Sequence, residues 1–265
     1  MNAIFCSHII LRNGLEKDAA RATIGVMTKT AKDTPLESYS YLFPFSKIYQ
    51  FKITLLETDP PVWRRIQVPG CYTFWDLHCA ITDVFGWLDY HLHLFEINDP
   101  KTNSAEHFGI PDPDGMHDED MGYVTKPSWM TKISRCFTKD NNQADYTYDF
   151  GDDWHHSVVL EKIMVMTDKR IVNSYPCCID GENACPPEDC GGTGGYQRFK
   201  KAIAYHNAEE HDEMLEWVGG WFDPHWFDKD LIRFGDPWLR WEIAFRKKPF
   251  PKNLRMVQYH RMKNG

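Results

Sequence analysis

The feature that most constrains this chain is a pair of alternating runs that meet at a glycine. Residues 145–150 and 154–164 are rich in aromatic and β-branched side chains, and Gly151-Asp152 lies between them. The pattern predicts a β-hairpin, and glycine at the first turn position suits a two-residue type II′ connection. With that turn, Phe150 faces Asp153 and Asp149 faces Trp154. Asp149 and His156 then share one face as diagonal neighbours, while His155 joins Tyr148 on the other. A one-residue slip would exchange the faces.

The remaining elements follow in order. Ile48 to Glu57 alternates apolar and polar, as a half-buried strand does. Pro60-Pro61 enforces a break, and Val62 to Val68 reads as a second strand ended by Pro69-Gly70. Thr73 is an N-cap with Asp76 three residues on. Leu77, Ile81, Val84 and Phe85 then mark an amphipathic helix that Gly86 stops. His91 to Ile97 is a third strand with His91, His93 and Phe95 on one face. From Asn98 to Ser128 no period survives, which predicts a long acidic loop. Beyond the hairpin, helices are expected after Gly195, from Glu209 to Val218, and after Asp223-Pro224 and Asp236-Pro237, each an N-cap residue followed by proline at N1. The fold class is therefore α+β: a mainly antiparallel sheet with helices packed on it and a helical C-terminal half. Residues 1–46 form a poorly patterned leader, 47–235 one domain, and 236–265 a C-terminal helix and basic tail.

Charge narrows the partners. The net charge is −8, which argues against a general polyanion-binding surface. From Arg240 to Gly265, however, eight basic residues stand against one acid, Glu242. That tail could touch nucleic acid or simply stay solvated. Glu16, Asp18 and Arg21 interrupt any apolar signal core, and no apolar run approaches the ~20 residues a bilayer span needs. No membrane partner is expected, and a protein partner is open. The eight cysteines are expected reduced, in a cytoplasmic setting.

With these residues on the page, the chain resembles the plasmid pRiA4b ORF-three-like family, also met as a passenger protein of insertion elements. The resemblance runs from about Ile48 to Phe234. It rests on Pro60-Pro61-Val62-Trp63-Arg64-Arg65, Leu77-His78, Gly86-Trp87 and His91-Leu92-His93. It continues through Tyr148-Asp149-Phe150-Gly151-Asp152-Asp153-Trp154 with His156, Tyr175-Pro176, and Cys185-Pro186-Pro187-Glu188-Asp189. Gly195-Tyr196, Glu210-His211, Glu216-Trp217 and Phe222-Asp223-Pro224 complete it. The resemblance implies an α+β domain and no settled biochemical activity. It also implies that the position of Cys190 can be apolar.

The candidate metal ligands fall into two sets, for which zinc is the candidate cofactor. Cys178, Cys185 and Cys190 are spaced C-x6-C-x4-C, wider than the usual structural zinc pairs, and Cys177 (although adjacent cysteines rarely both ligate), His155 or His156 could add a fourth ligand. The bland alternative is a tight Pro/Gly-shaped loop whose thiols are small apolar groups. His91, His93, Asp149 and His156, with His78 nearby, offer imidazole and carboxylate of the first-row metal type, against core histidines satisfied by hydrogen bonds. Asp149, Asp152, Asp153, Glu188 and Asp189 could also form a carboxylate cluster for a divalent ion, although Asp152 and Asp153 are explained as turn formers. Gly191-Gly192-Thr193-Gly194-Gly195 lacks the Lys-Ser/Thr of a P-loop, so no nucleotide cofactor is expected. Arg64 and Arg65 could bind phosphate, or alternation could bury one and expose the other. Beside nucleic-acid binding through the basic C-terminal tail, two functions stay open: an interaction module that a metal could stabilise, and a metal-dependent, hydrolase-like enzyme using Asp149, His156 and the His91/His93 pair. In either case the site is expected where the hairpin meets the cysteine loop.

Overall fold

Strand pairing organises the molecule. The computed structural model describes residues 47–112, 122–166, 174–207 and 209–246; the leader and the tail beyond Arg246 lie outside the described residues. The strands are β1 (Lys47–Leu55), β2 (Val62–Pro69), β3 (His93–Asn98), β4 (Ala105–Gly109), β5 (Thr125–Pro127), β6 (Gln143–Tyr148), β7 (Trp154–Val165) and β8 (Cys177–Glu182). They form one sheet in the order β5-β4-β3-β6-β7-β1-β2-β8. Every pairing is antiparallel except β4 with β5, which is parallel, so the sheet is mixed.

The first helix, α1 (Phe74–Phe85), crosses the inner face of this sheet. Its start is fixed by a capping box: Thr73 Oγ1 accepts from Asp76 N, and Asp76 Oδ2 accepts from Thr73 N at 2.8 Å. Its end is fixed by Gly86 at φ 82°, a left-handed conformation natural to glycine. Eleven of its residues are buried, so apolar groups must cover it on both sides. Leu77, Ile81, Val84 and Phe85 meet the sheet, each worth about 1.5–3 kcal/mol if fully buried. On the outer side Trp75 and Cys79 pack with Trp129 and Trp241, the last from helix α5 (Pro237–Phe245). Trp75 Nε1 donates to Pro237 O at 2.8 Å, and Arg240 pairs with Asp83 and Asp89. The remaining helices are α2 (Ile133–Cys136), α3 (Gly192–Ala204) and α4 (His211–Trp217).

The expected helical C-terminal half is not what forms. Among the described residues helix accounts for 28% and strand for 31%, in a mixed α+β arrangement. Beyond the hairpin, β8 joins the sheet as an edge strand on β2. Its Gly181 sits where an added Cβ would lie 2.6 Å from the Phe227 ring, so packing rather than periodicity defines that strand. Asp223-Pro224 starts no helix. Asp223 spends its cap on His225 N at 2.9 Å and its carbonyl on Trp226 N at 3.1 Å, closing a turn that delivers Phe227 to Arg64. Asp236, by contrast, caps α5 as expected, accepting from Trp238 N and Leu239 N. Strands β4 and β5 likewise arise within the stretch expected as a loop.

The hairpin forms one residue out of the expected register. Tyr148 faces Trp154, Tyr146 faces His156 and Thr147 faces His155. Asp149 and Asp153 both adopt left-handed φ near 58°, making a five-residue link closed by Asp153 N to Asp149 O at 2.6 Å. The faces therefore exchange: Tyr146, Tyr148, Trp154 and His156 turn inward, and His155 is exposed. Burying four large rings on one face outweighs the two-residue turn that glycine suggests.

Candidate functional site

Three segments converge beside the hairpin turn. Asp149 is held by its own N–H, which donates to Leu92 O at 2.9 Å, and by Oδ1, which accepts from Gly151 N at 2.9 Å. This draws the residues before β3 against the turn and sets His91 alongside: His91 Nδ1 lies 3.5 Å from Asp149 Oδ1. From the other side the Cys185–Cys190 loop delivers Asp189, whose Oδ1 is 2.9 Å from His91 Nε2. Among the described residues, His91, Asp149 and Asp189 form a group whose ligand atoms all lie within 4.8 Å of one another. The Nε2–Asp189 approach is not aligned as a hydrogen bond, so that buried nitrogen has no hydrogen-bond partner.

The loop is clamped in place by contacts that only glycine permits. Gly191 N donates to Asp152 Oδ2 at 3.1 Å. A Cβ on Gly192 would lie 2.5 Å from Asp152 O, and Gly192 has φ 65°. On the core side, Glu188 Oε1 accepts a 2.5 Å hydrogen bond from Tyr148 OH, and Oε2 accepts from Leu88 N at 2.7 Å. Trp87 stacks on Tyr148 at 4.8 Å and donates its indole N–H to Pro186 O. Burial raises the Glu188 carboxyl above its ordinary value, with these hydrogen bonds opposing. Asp189 is also raised, by partial desolvation, with His91 opposing and the charges of Asp149 and Asp152 adding to the rise. Its side chain is nevertheless 60% exposed, so the site opens to solvent at this carboxylate.

The other candidate ligands lie elsewhere. His93 is buried and stacks on His78 with ring centres 3.6 Å apart, its Nε2 against Ser128 Oγ at 3.2 Å. Desolvation holds His93 well below the usual histidine range. His78 bridges Tyr146 OH and Asp89 Oδ1, each at 2.8 Å. His156 directs Nδ1 to the carbonyls of Tyr146 and Trp154 at 3.2 and 3.1 Å, and burial lowers its pKa to about 3. It is therefore a neutral core imidazole, set edge-on to Phe85 and Trp87. The contacts of Asp149 and those of His156 share no partner, as the exchanged hairpin faces require.

Cys178, Cys185 and Cys190 do not form a ligand group of three among the described residues, and none of the three is in a disulfide. Burial raises each of these thiols, Cys190 to about 12. Arg64 is buried and fully engaged: its guanidinium donates to the carbonyls of Val84, Trp63, Glu182 and Asn183 at 2.8–2.9 Å and stacks on Phe227 at 4.0 Å. Arg65 faces outward, paired with Glu161 and Asp180. Sequence reasoning did not anticipate the Tyr148–Glu188 bond. Its only signal is that Glu188-Asp189, directly after two prolines, places one carboxylate inward and the next outward.

Comparisons with known proteins place the chain in a family. The sequence profile described as plasmid pRiA4b ORF-3-like protein matches residues 47–231. The uncharacterized protein y4hQ of Sinorhizobium fredii is 33% identical over 177 residues, which is 66% of this chain and 82% of that one. The crystal structure of a protein of unknown function from Methanosarcina mazei Go1 superposes with a TM-score of 0.64 at 39% identity, covering 72% of this chain and 99% of the other. Neither relative carries an assigned activity in its name. The matched span and the identity to a relative covered over most of its length lead to one conclusion: the chain belongs to the plasmid pRiA4b ORF-3-like family.

Proposed function

We propose that this protein is a binding module organised by a divalent metal ion, with His91, Asp149 and Asp189 as the protein ligands. The observation that carries the reading is the convergence of these ligand atoms within 4.8 Å from three separate segments, with His91 Nε2 left without an aligned hydrogen bond. One imidazole and two carboxylates suit a first-row ion such as zinc. An ion there would tie together the hairpin turn, the approach to β3 and the loop after β8, three pieces otherwise joined by a few hydrogen bonds. It would also offset the negative charge that Asp149, Asp152 and Asp189 place together. Elemental analysis of protein purified without chelator tests the reading. One equivalent of metal in wild type, and loss of it in His91→Ala, is expected. Sub-stoichiometric metal in wild type overturns it.

A hydrolytic reading is favoured by one specific feature. Three protein ligands leave a coordination position open, as in catalytic rather than structural zinc sites. An ion at this site would lower the pKa of a bound water. Turnover of a phosphoester or amide substrate panel that vanishes in Asp149→Asn separates this reading from the first. Metal binding without turnover leaves the binding module standing.

A further inference from the structure

Outside the His91 site, the stretch after α4 presents tryptophans to solvent in an ordered way. Gly219 and Gly220, at φ 89° and 98°, reverse the chain behind Trp217. Phe222 then packs edge-on against Tyr196 and Phe199, at 6.3 and 5.1 Å, and Phe227 packs beneath the Arg64 guanidinium. Anchoring these two phenylalanines leaves their sequence neighbours outside. Trp221 is 62% and Trp226 44% exposed, and their rings stand 6.0 Å apart at 80°, two walls of a corner. The turn between them is held by Asp223, whose carbonyl accepts from Trp226 N and whose Oδ1 accepts from His225 N.

The chain on both sides of the corner is strongly acidic. From Glu209 to Asp230 the chain carries eight carboxylates and one base, Lys229, which is itself paired with Asp230 at 2.6 Å. All eight except Asp223 are on exposed residues. An apolar partner would have to desolvate those carboxylates, and the cores of protein interfaces are depleted in Asp and Glu. A polyanion such as nucleic acid would be repelled. A cation, in contrast, gains from the ring quadrupoles and from the field together. The molecule already uses such contacts internally, with Arg64 over Phe227 at 4.0 Å.

We propose that Trp221 and Trp226 form a recognition site for a lysine or arginine side chain of a basic peptide segment in a partner protein, with the carboxylates of the flanking chain as its charge complement. The test uses full-length protein and a fluorescent lysine- and arginine-bearing peptide, read by anisotropy at physiological salt. The same peptide carrying acetyl-lysine and citrulline serves as the neutral comparison. The cationic peptide is expected to bind and the neutral one to lose that binding. Trp221→Ala/Trp226→Ala should weaken the cationic peptide about fivefold or more, from two cation–π contacts, while the net charge is unchanged. Both rings are exposed, so thermal unfolding should match wild type. If the double variant misfolds, Trp221→Ala alone carries the test. Binding should persist in EDTA, which separates it from the metal site. Equal affinity of wild type and the tryptophan variant, equal affinity for the two peptides, or no binding of the cationic peptide would each overturn the proposal.

Discussion

Two groups of polar residues lie close together at the hairpin end of the sheet and obey opposite rules. In the interior, His78 is satisfied at both ring nitrogens and every guanidinium nitrogen of Arg64 reaches a carbonyl, while His93 and His156 each keep one ring nitrogen unbonded in a closed core where burial lowers their pKa. At the rim, His91 faces two carboxylates without an aligned hydrogen bond at Nε2, and Asp189 is open to water. Buried polar groups with complete partners specify the fold. Polar groups that converge, remain incompletely paired and open to water are where a ligand can still add free energy. The two groups share residue types, so composition alone does not distinguish them.

The comparison can be broken most forcefully at Arg64. Arg64→Leu strips the hydrogen bonds from four carbonyls in the interior and should cost about 3–5 kcal/mol by denaturant unfolding. A loss within about 1 kcal/mol would mean that those carbonyls find water and that the interior is not closed. Next in size is His78→Leu, which leaves Tyr146 OH and Asp89 short of a partner. It should cost about 2–3 kcal/mol without altering metal content.

A third effect is read against pH. His156 has its folded pKa lowered from 6.5 to about 3, so between these values the unfolded chain binds a proton that the native state refuses. Stability should therefore fall as pH drops below 6.5, this histidine contributing a slope of about 1.4 kcal/mol per pH unit down to pH 3. His156→Gln should flatten the profile in that window; an unchanged slope would show that the imidazole is not buried neutral. The smallest effect is expected at the rim. His91→Ala should shift the metal-free protein by no more than about 0.5 kcal/mol, as surface substitutions do. It should also abolish the stabilisation by added metal, which in wild type amounts to about 2.7 kcal/mol at a hundredfold excess over Kd.

Much of the frame is written locally in the sequence. Thr73, Asp76 and Gly86 define α1 by capping chemistry, and Asp236-Pro237 defines the start of α5 in the same way. The hairpin strands announce themselves by alternation. Their register does not, because Gly151-Asp152 invites a short turn while Tyr148 and Trp154 demand burial together. Strand β8 and the turn at Asp223 depend on Phe227, Gly181 and Arg64 meeting across long sequence separations, which no local window contains. The site shows the same division. Asp149, Asp189 and His91 have residue types that suggest chemistry, but their convergence depends on the left-handed φ of Asp149 and Asp189 and on the glycine clamp at Asp152. Those are tertiary facts.

The most direct test of the account is anomalous diffraction from crystals of the full-length protein grown with zinc. The account predicts an anomalous peak among His91, Asp149 and Asp189, absent in crystals of His91→Ala. A peak at the Cys178–Cys190 loop instead, or none among the three ligands, would contradict it.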